Sequence, residues 1–226
     1  MSLISIVFQN ADFIVLDKPV MVLSTPSRQG VLDARPVLGI ELEKFLAKQV
    51  FPVHRLDFEV SGLILYALNA QAHKLANSWF EKRRIHKVYR ATTTGRSFDH
   101  LPPGVTALDR DLQFEIGNQV VWKNKILRGK KRSYYSPHGD ISETLAVYLG
   151  EMNGRHRWEL QPVTGRSHQL RLDLSSRGYP ILGDELYGSK EKLDQSGIAL
   201  RCVELRLNEI LATERCGLPE IIKVSE

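Results

Sequence analysis

The stretch Pro52–Leu68, PVHRLDFEVSGLILYAL, decides how the rest of the chain is organised. His54, Arg55 and Asp57 place two basic groups and a carboxylate within four residues, shortly before the apolar run Leu63–Leu68. The run predicts a buried strand, and the residues before it predict a short loop. A loop fixed to a core strand holds its side chains on rigid backbone, where precise chemistry tends to be placed. Asp57 is therefore the first candidate for a functional group.

Length and composition are those of a globular protein. The chain has 226 residues, of which 42% are hydrophobic and 25% charged, enough for one large domain or two small ones. No apolar stretch approaches the ~20 residues of a membrane span, and the N-terminal residues lack the pattern of a signal peptide. Cys202 and Cys216 form neither a CxxC metal pair nor a disulfide framework. These features predict a cytoplasmic protein that does not associate with membranes.

Positive charge is concentrated in three tracts. The net charge is +5 and the sequence pI about 9.2, which is only mildly basic. Yet Trp122–Arg132 (WKNKILRGKKR) holds six Lys or Arg and no acid, and Lys82–Arg90 holds five. Arg155–Arg177 adds five arginines and two histidines. Separated basic tracts indicate a polyanion such as nucleic acid as partner, against the alternative of an ordinary solvated surface.

The N-terminal half predicts strands and two helices. Ile4–Phe8 and Phe13–Leu16 have the pattern of short strands. A helix is expected to start near Asp33, with the apolar positions Leu38, Leu42, Phe45 and Leu46. The strongest helix signal follows Asn69, a good N-cap residue. Its apolar positions recur at i, i+3, i+4, i+7 and i+8 and are Ala72, Leu75, Ala76, Trp79 and Phe80.

The C-terminal half predicts mainly strands. Val88–Thr94 alternates, with Tyr89 and Ala91 on one side. The tract 122–132 predicts an exposed loop or a hairpin arm, because so many charges cannot be buried. Further strands are expected at Glu143–Leu149 and Arg157–Val163, joined by a turn at Asn153-Gly154, and at Ile198–Leu207. We find no repeats and no convincing linker, so the simplest interpretation is a single domain over residues 1–226.

A second informative stretch is Gln161–Arg171, QPVTGRSHQLR. A strand ends here, Gly165 permits a tight turn, and a helix is expected to begin near Ser167 or His168 and to stop at Gly178. Arg166 lies on this junction between strand, turn and helix.

Taken one at a time, the candidate residues are weak signals. On its four residues alone, Asp57 is better explained by an ion pair with Arg55 or by a cap for its loop than by chemistry. Arg166 on its own would be an ordinary surface arginine, and a tyrosine on a strand, such as Tyr89, more often packs in a core than takes part in chemistry.

Together, four blocks resemble the RluA-type pseudouridine synthases. They occur in the family's order between about Ile14 and about Leu207, and they are His54–Asp57 with Ser61–Leu63, Lys87–Ala91, Thr164–Arg171, and Gly178–Asp184 with Tyr187-Gly188. Several motifs of this length rarely fall in register by chance. The resemblance implies an enzyme that isomerises uridine to pseudouridine in structured RNA, ribosomal or transfer, without a cofactor or a metal.

The resemblance also implies roles for four residues. Asp57 matches the catalytic carboxylate, which acts as a nucleophile or as a base, and the sequence leaves both open. Arg166 matches the basic residue that pairs with this aspartate and so favours its charged form. Tyr89 matches the tyrosine that stacks on the target base, and its phenol is a further candidate for proton transfer at C5. Arg55 matches the position that occupies space near the extruded base.

The family's catalytic core is an α+β domain with a mixed, largely antiparallel sheet, flanking helices and a central cleft, and this is the fold that we expect. Departures from the family pattern include Val60 in place of a common threonine and Asp173 in place of a common histidine. We expect a monomer without the N-terminal S4-type RNA-binding module of longer relatives. The alternatives are a non-catalytic RNA-binding protein on the same fold and a small-molecule hydrolase that uses Asp57.

Overall fold

The computed structural model describes residues 3–27, 30–99, 101–193 and 196–224. These residues form an α+β fold with eleven β-strands and three α-helices, which confirms the predicted fold class. The chain divides into two compact units: residues 1–87 with 201–226, called unit 1, and residues 88–200, called unit 2. No helix within the described ranges is both long and apolar enough to cross a membrane.

Unit 1 is built on a mixed sheet. Its strands are β1 (Ile6–Gln9), β2 (Phe13–Lys18), β3 (Phe51–Pro52), β4 (Ser61–Ala67), β10 (Leu200–Arg206) and β11 (Ile221–Lys223). The order is β1-β2-β4-β10, with β3 also paired to β4 and β11 to β10. β4 and β10 run parallel, and the other pairs are antiparallel. The first four residues of β2 are fully buried on both faces, so β2 and β4 form the centre of this unit.

The first helix starts later than the sequence predicts. Helix α1 spans Leu38–Leu46, not a segment that begins at Asp33. The carboxylate of Asp33 instead accepts two hydrogen bonds from the Arg35 guanidinium. The residue before a proline is disfavoured in helical conformation, which excludes a helix through Pro36. Leu38 and Leu42 are buried as predicted, but Phe45 is 60% exposed.

The second helix confirms the prediction. Helix α2 spans Ala70–Glu81, and the Asn69 side chain accepts a 2.8 Å hydrogen bond from the Ala72 amide. Ala72, Ala76 and Trp79 are buried on the predicted face. A capped helix with one apolar stripe is determined by local sequence, which is why the pattern alone located it.

Gly62 is required where β4 meets β10. Its φ is +108°, and a Cβ atom added there would lie 2.1 Å from the carbonyl oxygen of Cys202. The parallel register places Gly62 opposite Cys202. No side chain fits between the two backbones, so the Ser61-Gly62 pair at the start of β4 has a packing reason.

Unit 2 is built on an antiparallel sheet in the order β5-β9-β8-β6-β7. The strands are β5 (His86–Thr93), β6 (Gln119–Arg128), β7 (Ser133–Tyr135), β8 (Asp140–Met152) and β9 (Arg155–Pro162). The predicted strands at 88–94, 143–149 and 157–163 are confirmed with shifted ends, and the turn at Asn153-Gly154 joins β8 to β9.

The basic tract 122–132 forms a hairpin arm, one of the two predicted possibilities. It begins within β6 and turns at Gly129–Arg132 into β7. Trp122 and Ile126 point inward and are buried, so alternation places the lysines of β6 on the outer face.

Helix α3 spans Gln169–Ser176. Gly178, whose φ is +81°, follows two residues later. The predicted start near Ser167 or His168 and the predicted stop are therefore confirmed within two residues. All eight residues of α3 are buried, including five with polar or charged side chains. Because every face of α3 is buried, its sequence lacks the alternation of apolar and polar faces by which a surface helix is predicted. Its polar groups need partners inside the protein.

Candidate active site

Asp57 lies on a loop, residues 53–60, that is fastened to unit 1 through its backbone. Asp57 opens a turn in which the Val60 amide donates to the Asp57 carbonyl at 3.2 Å. The preceding Leu56 donates its amide to the Ser24 hydroxyl at 3.0 Å and accepts from that hydroxyl at 2.9 Å. Ser24 is itself buried, and its carbonyl accepts from the Tyr66 phenol at 2.7 Å. The backbone that carries the carboxylate is thus held on both sides of Leu56.

His54 fastens the start of the same loop. Its Nε2 accepts a 3.1 Å hydrogen bond from the Leu65 amide of β4, so the neutral ring carries its proton on Nδ1. Burial, and secondarily the positive charge of Lys87, lowers the His54 pKa to about 3. The ring also packs against Phe80 of α2, with the centroids 5.3 Å apart. His54 therefore stays neutral near neutral pH and serves the loop as a structural acceptor.

Two lysines supply positive charge close to Asp57. Lys18, at the end of β2, is fully buried, and its ammonium donates to the carbonyls of Val22 at 2.8 Å and Pro19 at 2.9 Å. A longer contact of 3.4 Å reaches the carbonyl of Phe58, the residue after Asp57. Burial lowers the Lys18 pKa to about 8, against the opposing charges of Asp57 and Glu59.

Lys87 is the second of these lysines. Burial lowers its pKa, while Cys202 and Asp57 act in the opposite direction. Neither Lys18 nor Lys87 was predicted to lie near the carboxylate. Lys87 was noted in a basic tract and at the start of the Lys87–Ala91 block, without a role of its own.

Arg55 is exposed and, within the described part of the chain, its guanidinium makes no hydrogen bond or ion pair. Tyr89 is 5% exposed on β5, opposite Leu160 of β9. Its neighbours Arg90 and Thr92 are only partly buried, so the predicted alternation along β5 is confirmed. Arg55 is thus accessible to a molecule from outside, whereas only a small part of Tyr89 is exposed.

Arg166 projects from the turn between β9 and α3. Its Nε donates to the Ile141 carbonyl at 2.9 Å, and Nη1 lies 3.4 Å from the Asp140 carboxylate. The side chain is 39% exposed. In this structure the guanidinium therefore rests against the start of β8 and remains accessible to solvent.

A second arginine of the same block is buried. Arg171 on α3 makes a bidentate ion pair with Asp184, with both N–O distances 2.7 Å, and its guanidinium lies over the Tyr187 ring at 5.2 Å. Its side chain is 2% exposed. Arg171 was predicted as part of a basic tract and of the Thr164–Arg171 block, without a role of its own. Which arginine is buried and which is exposed cannot be inferred from the sequence alone.

The basic tracts differ in how much of their charge is free. In the tract 82–90, Arg84 pairs with Glu214, His86 with Glu209, and Arg90 with Glu159. By contrast, Arg128, Lys130 and Lys131 at the tip of the hairpin arm are exposed and pair with no carboxylate among the described residues. The arm tip, defined by these three residues, is the stronger candidate for contacts with an anion.

The chemistry available is that of a carboxylate in a positive setting. Asp57 is fixed by backbone, flanked by two lysines whose pKa is lowered, and accompanied by an exposed arginine two residues earlier. Such a group suits nucleophilic attack or proton abstraction. No cluster of three or more potential metal ligands occurs among the residues that the structure describes.

Comparison with known proteins gives one family. Residues 12–176 match the family model described as RNA pseudouridylate synthase. A dual-specificity RNA pseudouridine synthase RluA from Pasteurella multocida (strain Pm70) is 35% identical over 184 residues, which cover 81% of this chain and 77% of the relative. Its counterpart from Salmonella typhi is 31% identical over 188 residues, or 83% and 78% of the two chains.

A solved structure shares the fold. The chain superposes on the human RNA pseudouridylate synthase domain containing 1 with a TM-score of 0.71 and 24% sequence identity. The match covers 100% of this chain and 83% of the human one. Most of both units therefore follows a known architecture.

Proposed function

The chain belongs to the RNA pseudouridylate synthase family and isomerises uridine to pseudouridine, and we propose that Asp57 is the catalytic carboxylate of this reaction. The observation that carries the proposal is the backbone fastening of the 53–60 loop, which holds one carboxylate rigidly among positive groups. A fixed carboxylate needs no reorganisation at the moment of reaction.

The reaction breaks the bond from C1′ of the ribose to N1 of uracil and forms a bond from C1′ to C5. C5 then loses its proton and N1 gains one, so atoms balance without a co-reactant. Asp57 either attacks as a nucleophile or removes a proton as a base. We assign the Tyr89 ring to stacking on the uracil, with its phenol available for proton transfer at C5.

The basic partner of Asp57 comes from the 164–171 block. Arg166 is our first candidate because its guanidinium is accessible and lies on the surface, where it contacts the Ile141 carbonyl and the exposed Asp140 carboxylate. Arg171 is the second, since it is buried and oriented, although Asp184 already compensates its charge. Replacing each arginine with lysine separates the two: the true partner loses turnover, and the other loses at most stability.

The substrate is structured RNA, and we propose ribosomal or transfer RNA because the two bacterial relatives above are named dual-specificity enzymes. A uracil must leave its stack to reach Asp57, at a cost of a few kcal/mol. Phosphate contacts at the arm tip offset this cost, and Arg55 occupies space beside the extruded base. We expect the protein to be cytoplasmic. We also expect it to be a monomer, which sedimentation of the purified protein would test.

The decisive experiment maps pseudouridine in unmodified transfer and ribosomal RNA after incubation with the protein. Asp57→Asn should reduce the rate by about 10⁴-fold or more while RNA affinity stays within about threefold, because the amide keeps the shape but is neither base nor nucleophile. The matched control is Asp111→Asn, which changes an exposed acid elsewhere in the chain. A control rate equal to the wild type is expected.

Two results would contradict the proposal. An Asp57→Asn variant that modifies RNA at nearly the wild-type rate removes the assigned role of the carboxylate. A wild type that binds RNA with normal salt dependence but modifies none would favour the RNA-binding alternative.

A further inference from the structure

The Gln169 side chain uses every hydrogen-bonding position of its amide. Gln169 is 3% exposed at the first position of α3. Its Oε1 accepts from the Thr164 hydroxyl at 2.8 Å and from the Arg166 backbone amide at 3.0 Å. Its Nε2 donates to the Glu143 carbonyl and to the Thr144 hydroxyl, both at 2.9 Å. Two acceptor positions and two donor hydrogens are thus all occupied.

The direction of each bond is fixed. The Arg166 amide and the Glu143 carbonyl have only one possible polarity, so Oε1 must face the turn and Nε2 must face β8. The Thr164 hydroxyl accepts from the Glu143 amide at 2.9 Å and therefore donates to Gln169. Rotating the amide by 180° would oppose donor to donor and acceptor to acceptor, which holds the turn in one geometry.

The network continues beyond the amide. Thr144 receives one hydrogen from Gln169 and passes its own hydroxyl hydrogen to the Asp173 carboxylate at 2.7 Å. The second oxygen of Asp173 accepts from the Tyr135 phenol at 2.6 Å. The turn that carries Arg166 is therefore joined through a buried polar chain to β7, at the base of the hairpin arm.

We propose that Gln169 is a positioning residue of the synthase: its amide holds the turn 164–166 and the start of α3, and so sets where Arg166 and Arg171 are presented. The proposal rests on the proposed function, because it concerns the block assigned to pair with Asp57. Gln169 acts through these arginines and does not itself touch substrate. The geometry carries the argument, since one buried amide bridges the turn, the helix and β8.

Three variants test the role. Gln169→Leu removes all four bonds at similar volume, and kcat should fall by about 100-fold with RNA affinity within about threefold, because a shift of about 1 Å at a catalytic group has that effect. Thr93→Val is the control, since it removes the buried bond from Trp158 Nε1 to Thr93 at 3.2 Å in the same unit. It should lower the Tm and leave kcat unchanged.

Gln169→Glu gives the second readout, which a general loss of stability would not produce. When protonated, the new carboxyl group can accept the bonds from the Thr164 hydroxyl and the Arg166 amide and donate one bond to the Glu143 carbonyl. Three of the four bonds are then kept, so activity is largely restored. When ionised, it opposes the Glu143 carbonyl oxygen and, through Thr144, the buried Asp173 carboxylate, while the Glu143 carboxylate is engaged with Lys123. The ratio of variant to wild-type kcat should therefore fall about tenfold or more as pH rises from about 5.5 to 8.

The outcomes separate the two proposals. If the wild type is active but folded Gln169→Leu retains kcat within about threefold, or Gln169→Glu follows the wild-type pH profile, the positioning role is wrong and the proposed function stands. If the wild type makes no pseudouridine, the proposed function is wrong, and the positioning role is overturned with it.

Discussion

The two units each bury a basic side chain, and they neutralise it in different ways. Lys18 of unit 1 is fully buried and surrounded by carbonyl oxygens, with the carboxylates of Asp57 and Glu59 acting from farther away. Arg171 of unit 2 is equally buried but lies in a bidentate contact with Asp184. Dipoles surround the first cation, and a full opposite charge faces the second.

This difference in neutralisation decides which of the two buried cations, Lys18 or Arg171, can change its charge with pH. Carbonyl dipoles stabilise an ammonium less than bulk water does, so the Lys18 pKa falls to about 8, within reach of ordinary buffers. A guanidinium paired with a carboxylate stays charged at every working pH. The loop that carries Asp57 is therefore coupled to a titratable neighbour, whereas the helix that carries Arg171 is locked by a permanent pair.

Arg171→Met should have the largest effect on stability. Removing one member of a buried pair leaves Asp184 as an uncompensated buried charge, which costs about 3–5 kcal/mol. Urea unfolding at pH 7 measures this loss. Adding Asp184→Asn to the variant should recover part of it, since the stranded charge is then removed. A loss of unfolding free energy below about 1 kcal/mol would show that the pair of Arg171 and Asp184 does not stabilise the fold as proposed.

Lys18→Met should change how stability depends on pH. The folded pKa of Lys18 lies near 8, below the ordinary lysine pKa of 10.5, so folding is penalised at low pH and the penalty is lost as pH rises from about 8 to 10.5. The wild type should therefore gain about 3 kcal/mol of unfolding free energy over this range relative to the variant.

Paired urea titrations at pH 7.5 and 10 measure that difference. Lys44→Met is the control, because Lys44 is an exposed lysine on α1 that pairs with Glu41. If the wild type and Lys18→Met keep a constant difference in stability across this range, the contrast between the two buried cations fails.

Of these variants, Asp140→Asn should have the smallest effect on stability. The pair of Arg166 and Asp140 is 3.4 Å long, and the two side chains are 39% and 74% exposed. Exposed pairs contribute about 0–1 kcal/mol. Thermal unfolding should shift little, and turnover should stay at or above the wild-type rate because the Asp140 charge no longer competes for the Arg166 guanidinium. A large fall in turnover would mean that Asp140 orients Arg166 for catalysis.

Local patterns were sufficient for part of the fold. Helix α2 was predicted from its Asn69 cap and its apolar stripe, and the strands around Asn153-Gly154 from alternation and turn chemistry, because these signals lie within a few residues of each other. The predicted start of α1 near Asp33 was wrong because Pro36 excludes a helix through the residues before it, and Asp33 pairs with Arg35 instead. The exposure of Phe45 depends on what packs against α1, which local sequence does not contain.

The candidate site was predictable only in part. Asp57 could be proposed from the sequence because motif and loop position coincide in one stretch. The neighbours that define its surroundings are distant in the chain: Ser24 reaches Leu56 across 32 residues, and Lys18 reaches Phe58 across 40. The network of Gln169 likewise joins residues about two dozen positions apart. Contacts of this range follow from tertiary packing and leave no periodic trace in the sequence.

The contact between Gly62 and Cys202 limits how this enzyme can be redesigned. Only a hydrogen atom fits at position 62, because a methyl group there would overlap the carbonyl of the adjacent strand. A mutant library that randomises the 53–60 loop should therefore end at Ser61. Substitutions that introduce a chemical label should likewise avoid position 62, where even an alanine side chain would overlap the backbone of Cys202.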